Sequence, residues 1–155
     1  MSLQVPKQRV EVEILACGER RAVTVFLSEF VPERAGPERV SDLLERDEPF
    51  FPALDHTTAR MTFVSRAAVV LARVPRELEE HDAHDVAAPT EHEVEVRLLD
   101  GEVVRGIVSY VLAPENARPV DFLNEPGRFF RLLVATDYVL LVNKQHVACV
   151  TLVSR

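Results

Sequence analysis

The chain has 155 residues, 47% of them hydrophobic and 28% charged, with a formal net charge of −7. That balance is globular and sufficient for one ordinary domain or two small ones. No run approaches the roughly 18 consecutive apolar residues of a membrane span, the first residues lack an apolar signal core, and Cys17 and Cys149 lie too far apart for the dense disulfide framework of a small secreted domain, so a cytoplasmic protein without membrane contact is expected.

Residues 1–9 form a short basic N-terminal segment carrying Lys7 and Arg9. From residue 10 the pattern turns to strands. In Val-Glu-Val-Glu-Ile the apolar residues Val10, Val12 and Ile14 alternate with Glu11 and Glu13, the period of two of a half-buried strand. Cys17-Gly18 supplies a turn, and the β-branched and aromatic run from Ala22 to Val31 reads as a second strand. Residues 41–44 read as a single helical turn with Ser41 as its N-cap. Third, fourth and fifth strands follow over 50–54, 60–66 and 67–74, with a tight turn at Ser65-Arg66.

Residues 75–91 hold six acidic groups against one basic, and they carry most of the negative excess. His81, Asp82, His84 and Asp85 fall in this segment. They read as part of a solvated linker, either a short helix or a tether, because a metal site needs a rigid scaffold and ordered supporting groups.

From residue 92 the same succession begins again. Val94, Val96 and Leu98 alternate with Glu95 and Arg97, Asp100-Gly101 makes a turn, and a second strand runs through Gly106, where a bend or bulge is expected. A helical turn over 120–123 precedes strands beginning at Phe129, Tyr138 and His146, with Asn143-Lys144 in the tight turn between the last two. Cys149, inside His-Val-Ala-Cys-Val-Thr-Leu-Val, is expected to be a buried and inert thiol.

The matches between residues 10–74 and 92–155 are ordered. Val10-Glu11-Val12 aligns with Val94-Glu95-Val96, Gly18 with Gly101, and Pro32-Glu33 with Pro114-Glu115. Ala35 aligns with Ala117, Asp42 with Asp121, Phe50-Phe51 with Phe129-Phe130, and Arg66 with Lys144. The offset changes only at turns. This pattern predicts an internal duplication and an all-β fold of two tandem five-stranded small barrels, each with one short helical turn, since closure removes exposed strand edges.

Asp121 to Asn124, followed by Leu141-Val142-Asn143-Lys144, resembles the Sm-like class of small barrels, which shares its general design with SH3-like barrels. In that class an Asp/Asn-bearing segment and a basic turn before the last strand bind nucleotides, and barrels assemble into rings. The resemblance implies nucleotide contacts at Asp121, Asn124, Asn143 and Lys144, with Asp42 and Arg66 at the corresponding first-copy positions. Glu45 and Ser65 replace the asparagines there, and Lys144-Gln145-His146 replaces the family's glycine-centred turn. The Phe-Phe pair and Asn-Lys turn also resemble a small bacterial domain that carries no assigned function.

Those six residues are the candidate ligand or partner contacts. Asp42 and Asp121 read first as local caps, and Arg66 and Lys144 as polar turn residues. Phe50, Phe51, Phe129 and Phe130 are the candidate packing anchors, because strand neighbours face opposite sides and one ring of each pair must point outward. No nucleophile–base pair, glycine-rich phosphate loop or Cys/His cluster is visible, so neither an enzyme nor a cofactor is expected. The expected function is a non-catalytic binding or assembly module that presents two related surfaces to a protein partner or to itself. Two alternatives are an Sm-like nucleic-acid-binding pseudo-dimer, disfavoured because neither repeat has a basic excess, and a small-ligand sensor lodged between the barrels.

Overall fold

A computed structural model describes residues 7–31, 36–79, 88–113, 115 and 118–153. β1 (Lys7–Ala16) and β2 (Glu19–Ser28) form an antiparallel hairpin. Its turn residues Cys17 and Gly18 have φ of 53° and 75°, the left-handed pair whose twist matches the strands it joins. α1 (Val40–Glu45) follows. Its first turn is closed by Asp42, whose carboxylate accepts the Arg39 N–H at 2.7 Å. Ser41, expected as the N-cap, lies one residue inside the helix, where its hydroxyl donates to Glu79 at 2.7 Å.

β3 (Phe50–Asp55), β4 (Arg60–Ser65) and β5 (Val69–Pro75) complete the first half. The second half repeats the succession with β6 (Thr90–Leu98), β7 (Val103–Tyr110), α2 (Pro119–Leu123), β8 (Phe129–Leu133), β9 (Tyr138–Asn143) and β10 (Val147–Leu152). A single 3-10 turn joins the last two strands of each half, Arg66–Ala68 in the first and Lys144–His146 in the second.

All ten strands belong to one antiparallel sheet in the order β10-β6-β7-β8-β9-β5-β1-β2-β3-β4. The expected pair of separate closed barrels is therefore replaced by one unclosed sheet. The last strand of the first half, β5, does not return to β4. It pairs with β9 of the second half, from Leu71 opposite Val142 to Pro75 opposite Tyr138. Among the described residues, the sheet edges β4 and β10 have no further strand beside them.

Within each half the strand order is the same: fifth, first, second, third, fourth. The hydrogen-bond registers also correspond. β1 slips against β5 between Leu15 and Ala16, opposite Leu71 and Val69, and β6 slips against β10 opposite Val147 and Cys149. Val69 and Val147 thus occupy like positions, as do Leu71 and Cys149. Carried across these ladders, the position of Val12 corresponds to Val94, two residues from the alignment read in the sequence. A slip of two leaves every side chain on its own face, so the apolar alternation alone does not fix it.

The narrowest ladders are the matching ones, β2 with β3 and β7 with β8, the latter pairing only Ile107 with Leu133. Gly106 sits beside this joint. A Cβ there would lie 2.6 Å from Leu132 Cγ and 2.8 Å from the Leu133 carbonyl oxygen. The glycine thus permits close approach of β8. It makes no bulge, because its pairing with Val94 is regular.

Two apolar clusters form the core. One gathers Val12, Val23, Val25, Leu43, Leu44 and Phe51 of the first half with Val139 and Leu141 of β9. The other gathers Val94, Val96, Val108, Phe130 and Leu132 of the second half with Leu15 and Leu71 of the first. Each half thus completes the other's core. Cys149, expected to be buried, is exposed because β10 is a sheet edge.

β5 extends into the segment expected to be linker, and beyond it Glu79 is buried. β6 begins at Thr90, before the expected boundary. The matched Pro32-Glu33, Ala35, Pro114 and Ala117, and the linker residues His81, Asp82, His84 and Asp85, lie outside the described residues. Among the described residues no helix is long and apolar enough to cross a membrane.

Candidate functional site

The basic turn residues differ sharply. Arg66 is buried: its Nε donates to the Leu43 carbonyl at 2.8 Å, and its Nη1 donates to the carbonyls of Phe50, at 2.8 Å, and Glu48. The guanidinium also lies 5.3 Å from the centre of the Phe51 ring. Burial pulls its pKa down, yet arginine stays charged in proteins. Its donors serve the backbone between α1 and β3. Lys144, at the corresponding turn, is half-buried and donates to the Glu125 carbonyl at 2.7 Å. Asn143 is buried, and its amide donates across the joint between the halves to the Val69 carbonyl at 3.0 Å while its Oδ1 accepts the Gln145 N–H.

Asp121 accepts from the Arg118 guanidinium at 2.8 and 3.0 Å, and that side chain holds its carboxyl below the usual range. Asp42 and Asp121 thus both act on the start of their own helices. Asn124 is exposed at the end of α2. Phe51 and Phe130 point into the core. Their neighbours diverge: Phe129 is half-buried against the first half's core, whereas Phe50 is 59% exposed. Of the six candidate contacts, Arg66 and Asn143 are buried, and Lys144 reaches the carbonyl next to exposed Asn124.

The sequence reading missed the polar joint between the halves. Glu45, the last residue of α1, receives the backbone N–H groups of Arg128 and Phe129 at 2.8–2.9 Å. Buried Glu79 accepts from the N–H and hydroxyl of Ser41 and lies 3.5 Å from the Arg131 guanidinium. Burial lowers the pKa of Arg131, and the opposite charge of Glu79 counters it. His146 approaches the Ala67 carbonyl at 2.8 Å. The sequence signal was the Glu45 and Asn124 mismatch between otherwise matching segments: a pairing residue differs where its surroundings differ.

Two open clefts lie along the joint. One, of about 460 Å³, is lined mainly by apolar groups of Cys17, Ala68, Val70, Leu98 and Leu99, with His146 at its side. The other, of about 410 Å³, is lined by Glu11, Glu13, His56, Arg73 and Tyr138. There Arg73 stacks on the Tyr138 ring at 3.8 Å and His56 bonds the Thr24 hydroxyl at 2.7 Å. Among the described residues no three His, Cys, Asp or Glu side chains gather as metal ligands.

The most distinctive surface is one face of the β3–β4 hairpin, beside the free edge of β4. Phe50, Met61 and Phe63 are 59%, 51% and 70% exposed there. Edge strands in stable monomers are usually short, charged, proline-bearing or covered. In β4 only Arg60 carries charge, and β10 (Val-Ala-Cys-Val-Thr-Leu) has no charged residue and no proline. Comparisons with protein-family models, with curated proteins and with solved structures find no match.

Proposed function

We propose that the chain is a non-catalytic assembly module that binds a protein through its apolar β3–β4 edge. The observation that carries this reading is the exposure of Phe50, Met61 and Phe63 together on one face of the β3–β4 hairpin, whose β4 is an edge of the sheet. A folded chain gains nothing from three large apolar groups in water, whereas an interface gains roughly 1.5–3 kcal/mol for each one buried. Exposed backbone donors and acceptors along β4 add a main-chain recognition element.

The chain is, in this reading, an internal duplication of a small Sm-like or SH3-like barrel unit, each unit opened and joined to the other through β5 and β9. The repeated strand order, the matching bulges and the helix between second and third strands in each half support it. The nucleic-acid alternative is weaker, because Arg66 is spent on backbone carbonyls. The mostly apolar cleft offers a place for a small ligand, with Asp100 and His146 the only charged or titratable side chains besides Cys17 in its lining.

The test is site-specific photocrosslinking in cells, with the photoreactive group at position 63 and, as a control, at exposed position 103. A discrete protein adduct at 63 and none at 103 is expected. Equal labelling at both positions, or none at either, overturns the reading.

A further inference from the structure

We infer that the apolar cleft beside the β1–β2 and β6–β7 turns is a binding site for a small apolar amine, its hydrocarbon body on the walls and its ammonium group against Asp100. This site is separate from the β3–β4 face and does not depend on the assembly reading. Cys17 and Gly18 come from the first of the two turns, Leu99 and Asp100 from the second, and His146 from the 3-10 turn before β10. The volume of about 460 Å³ falls in the range of small-molecule sites, roughly 300–1,000 Å³. Both halves supply the lining, so the site exists only where they are joined.

The walls provide the apolar contact. Leu98 is buried and Ala68 and Val70 are half-buried, which fixes the floor. Leu99 is 65% exposed and is the wall residue that a ligand would cover most.

The polar groups select the ligand. Asp100 spends one carboxylate oxygen on the Glu102 N–H at 2.9 Å, and a carboxylate keeps further acceptor positions. His146 approaches the Ala67 carbonyl through Nε2 at 2.8 Å. A carbonyl can only accept, so Nε2 carries the hydrogen and the neutral ring keeps Nδ1 as an acceptor. Among the described residues no lysine or arginine lines the cleft, and Arg20, on the hairpin that carries Cys17, is paired with Glu102. The charged and titratable groups other than the thiol therefore present acceptors and one negative charge. A phosphate or carboxylate would meet repulsion there. The complementary ligand donates hydrogen bonds, carries positive charge and has a compact hydrocarbon body, as a primary amine on an aromatic or branched aliphatic group does.

The wild-type chain contains its own reporter, because Cys17 and Cys149 are both exposed and only Cys17 lines the cleft. 2-Phenylethylamine should slow alkylation of Cys17 by N-ethylmaleimide in a saturable way, read by peptide mass spectrometry, and leave Cys149 at its free rate. It should also raise the thermal midpoint, since it binds only the joined state. Phenylacetate, of similar size and opposite charge, should do neither, and neutral 2-phenylethanol should protect more weakly than the amine. Asp100→Asn keeps the turn chemistry before Gly101 and removes the charge. It should weaken protection by the amine about three- to fivefold, the worth of one solvent-exposed ion pair. Ala68→Trp, which fills the cleft, should abolish protection. Leu99→Ser, at an exposed position, should weaken it even if the tryptophan variant fails to fold. Absence of protection, equal slowing at both cysteines, equal protection by phenylacetate or phenylethanol, or undiminished protection in Asp100→Asn overturns the inference.

Discussion

At the scale of single residues, Arg66 and Lys144 show how the same place in two segments of like strand order comes to do different things. Each follows the fourth strand and opens a 3-10 turn. Arg66 points inward and donates to the carbonyls of Leu43, Glu48 and Phe50, while Lys144 reaches one carbonyl at the surface. Arg66→Ala should therefore cost about 3 kcal/mol in urea unfolding, because unsatisfied buried acceptors cost about 1–3 kcal/mol each. Lys144→Ala should cost less than about 1 kcal/mol. Equal losses at the two positions would contradict this assignment. The sequence showed that both turns are basic. It did not show which cation is buried, because that depends on how closely α1 approaches the turn.

Asp55 makes a second residue-scale case. It is buried at the end of β3, and its carboxyl is held below the usual range first by the Thr57 N–H and then by the Arg21 guanidinium, against the opposing effect of burial. A carboxylate with a depressed folded-state pKa stabilises the fold above its unfolded value of about 3.9, and that contribution disappears as pH falls through the folded value. Asp55→Asn should therefore be less stable than wild type at neutral pH, and the gap should close below about pH 4. Thermal unfolding of both proteins across pH 2.5–7 measures it, and a pH-independent gap would show that packing rather than charge is lost.

At the scale of elements, the strands and the two helical turns were legible because alternation and turn chemistry are local. The pairing of β5 with β9 was not. Either β4 or β9 could satisfy the edge of β5, and nothing in the residues from Val69 to Pro75 distinguishes a neighbour in its own half from one in the other half. The two-residue displacement of β6 against β1 escaped for a related reason: it preserves the inward face. Gly106 was visible as an irregular residue, but its role needed the position of β8. Since a Cβ at Gly106 would fall 2.8 Å from backbone at Leu133 as well as against Leu132, Gly106→Ala should force β7 and β8 apart and cost about 1–3 kcal/mol. The additional Leu132→Ala change should not recover the stability, because the backbone clash remains. Recovery in denaturant titration would show that the side chain alone sets the constraint.

At the scale of the whole molecule, the decisive feature is that each core borrows side chains from the other half. Leu141 belongs by sequence to the second half, yet it packs in the cluster of Val12, Val25, Leu43 and Phe51. Leu71 makes the reverse exchange. Two domains joined merely by a tether would lose stability one at a time, whereas domains that complete each other's cores lose it together. Leu141→Ala removes buried apolar volume worth about 2–5 kcal/mol. Hydrogen exchange should report this loss in the amides of β1 and β2, which are distant from Leu141 in sequence, as strongly as in those of β8 and β9. Leu71→Ala should likewise lower protection in β6 and β7. Protection that falls only in the mutated half would mean that the halves open independently. The joint through β5 and β9 would then be a contact between two finished units and not the centre of one cooperative fold.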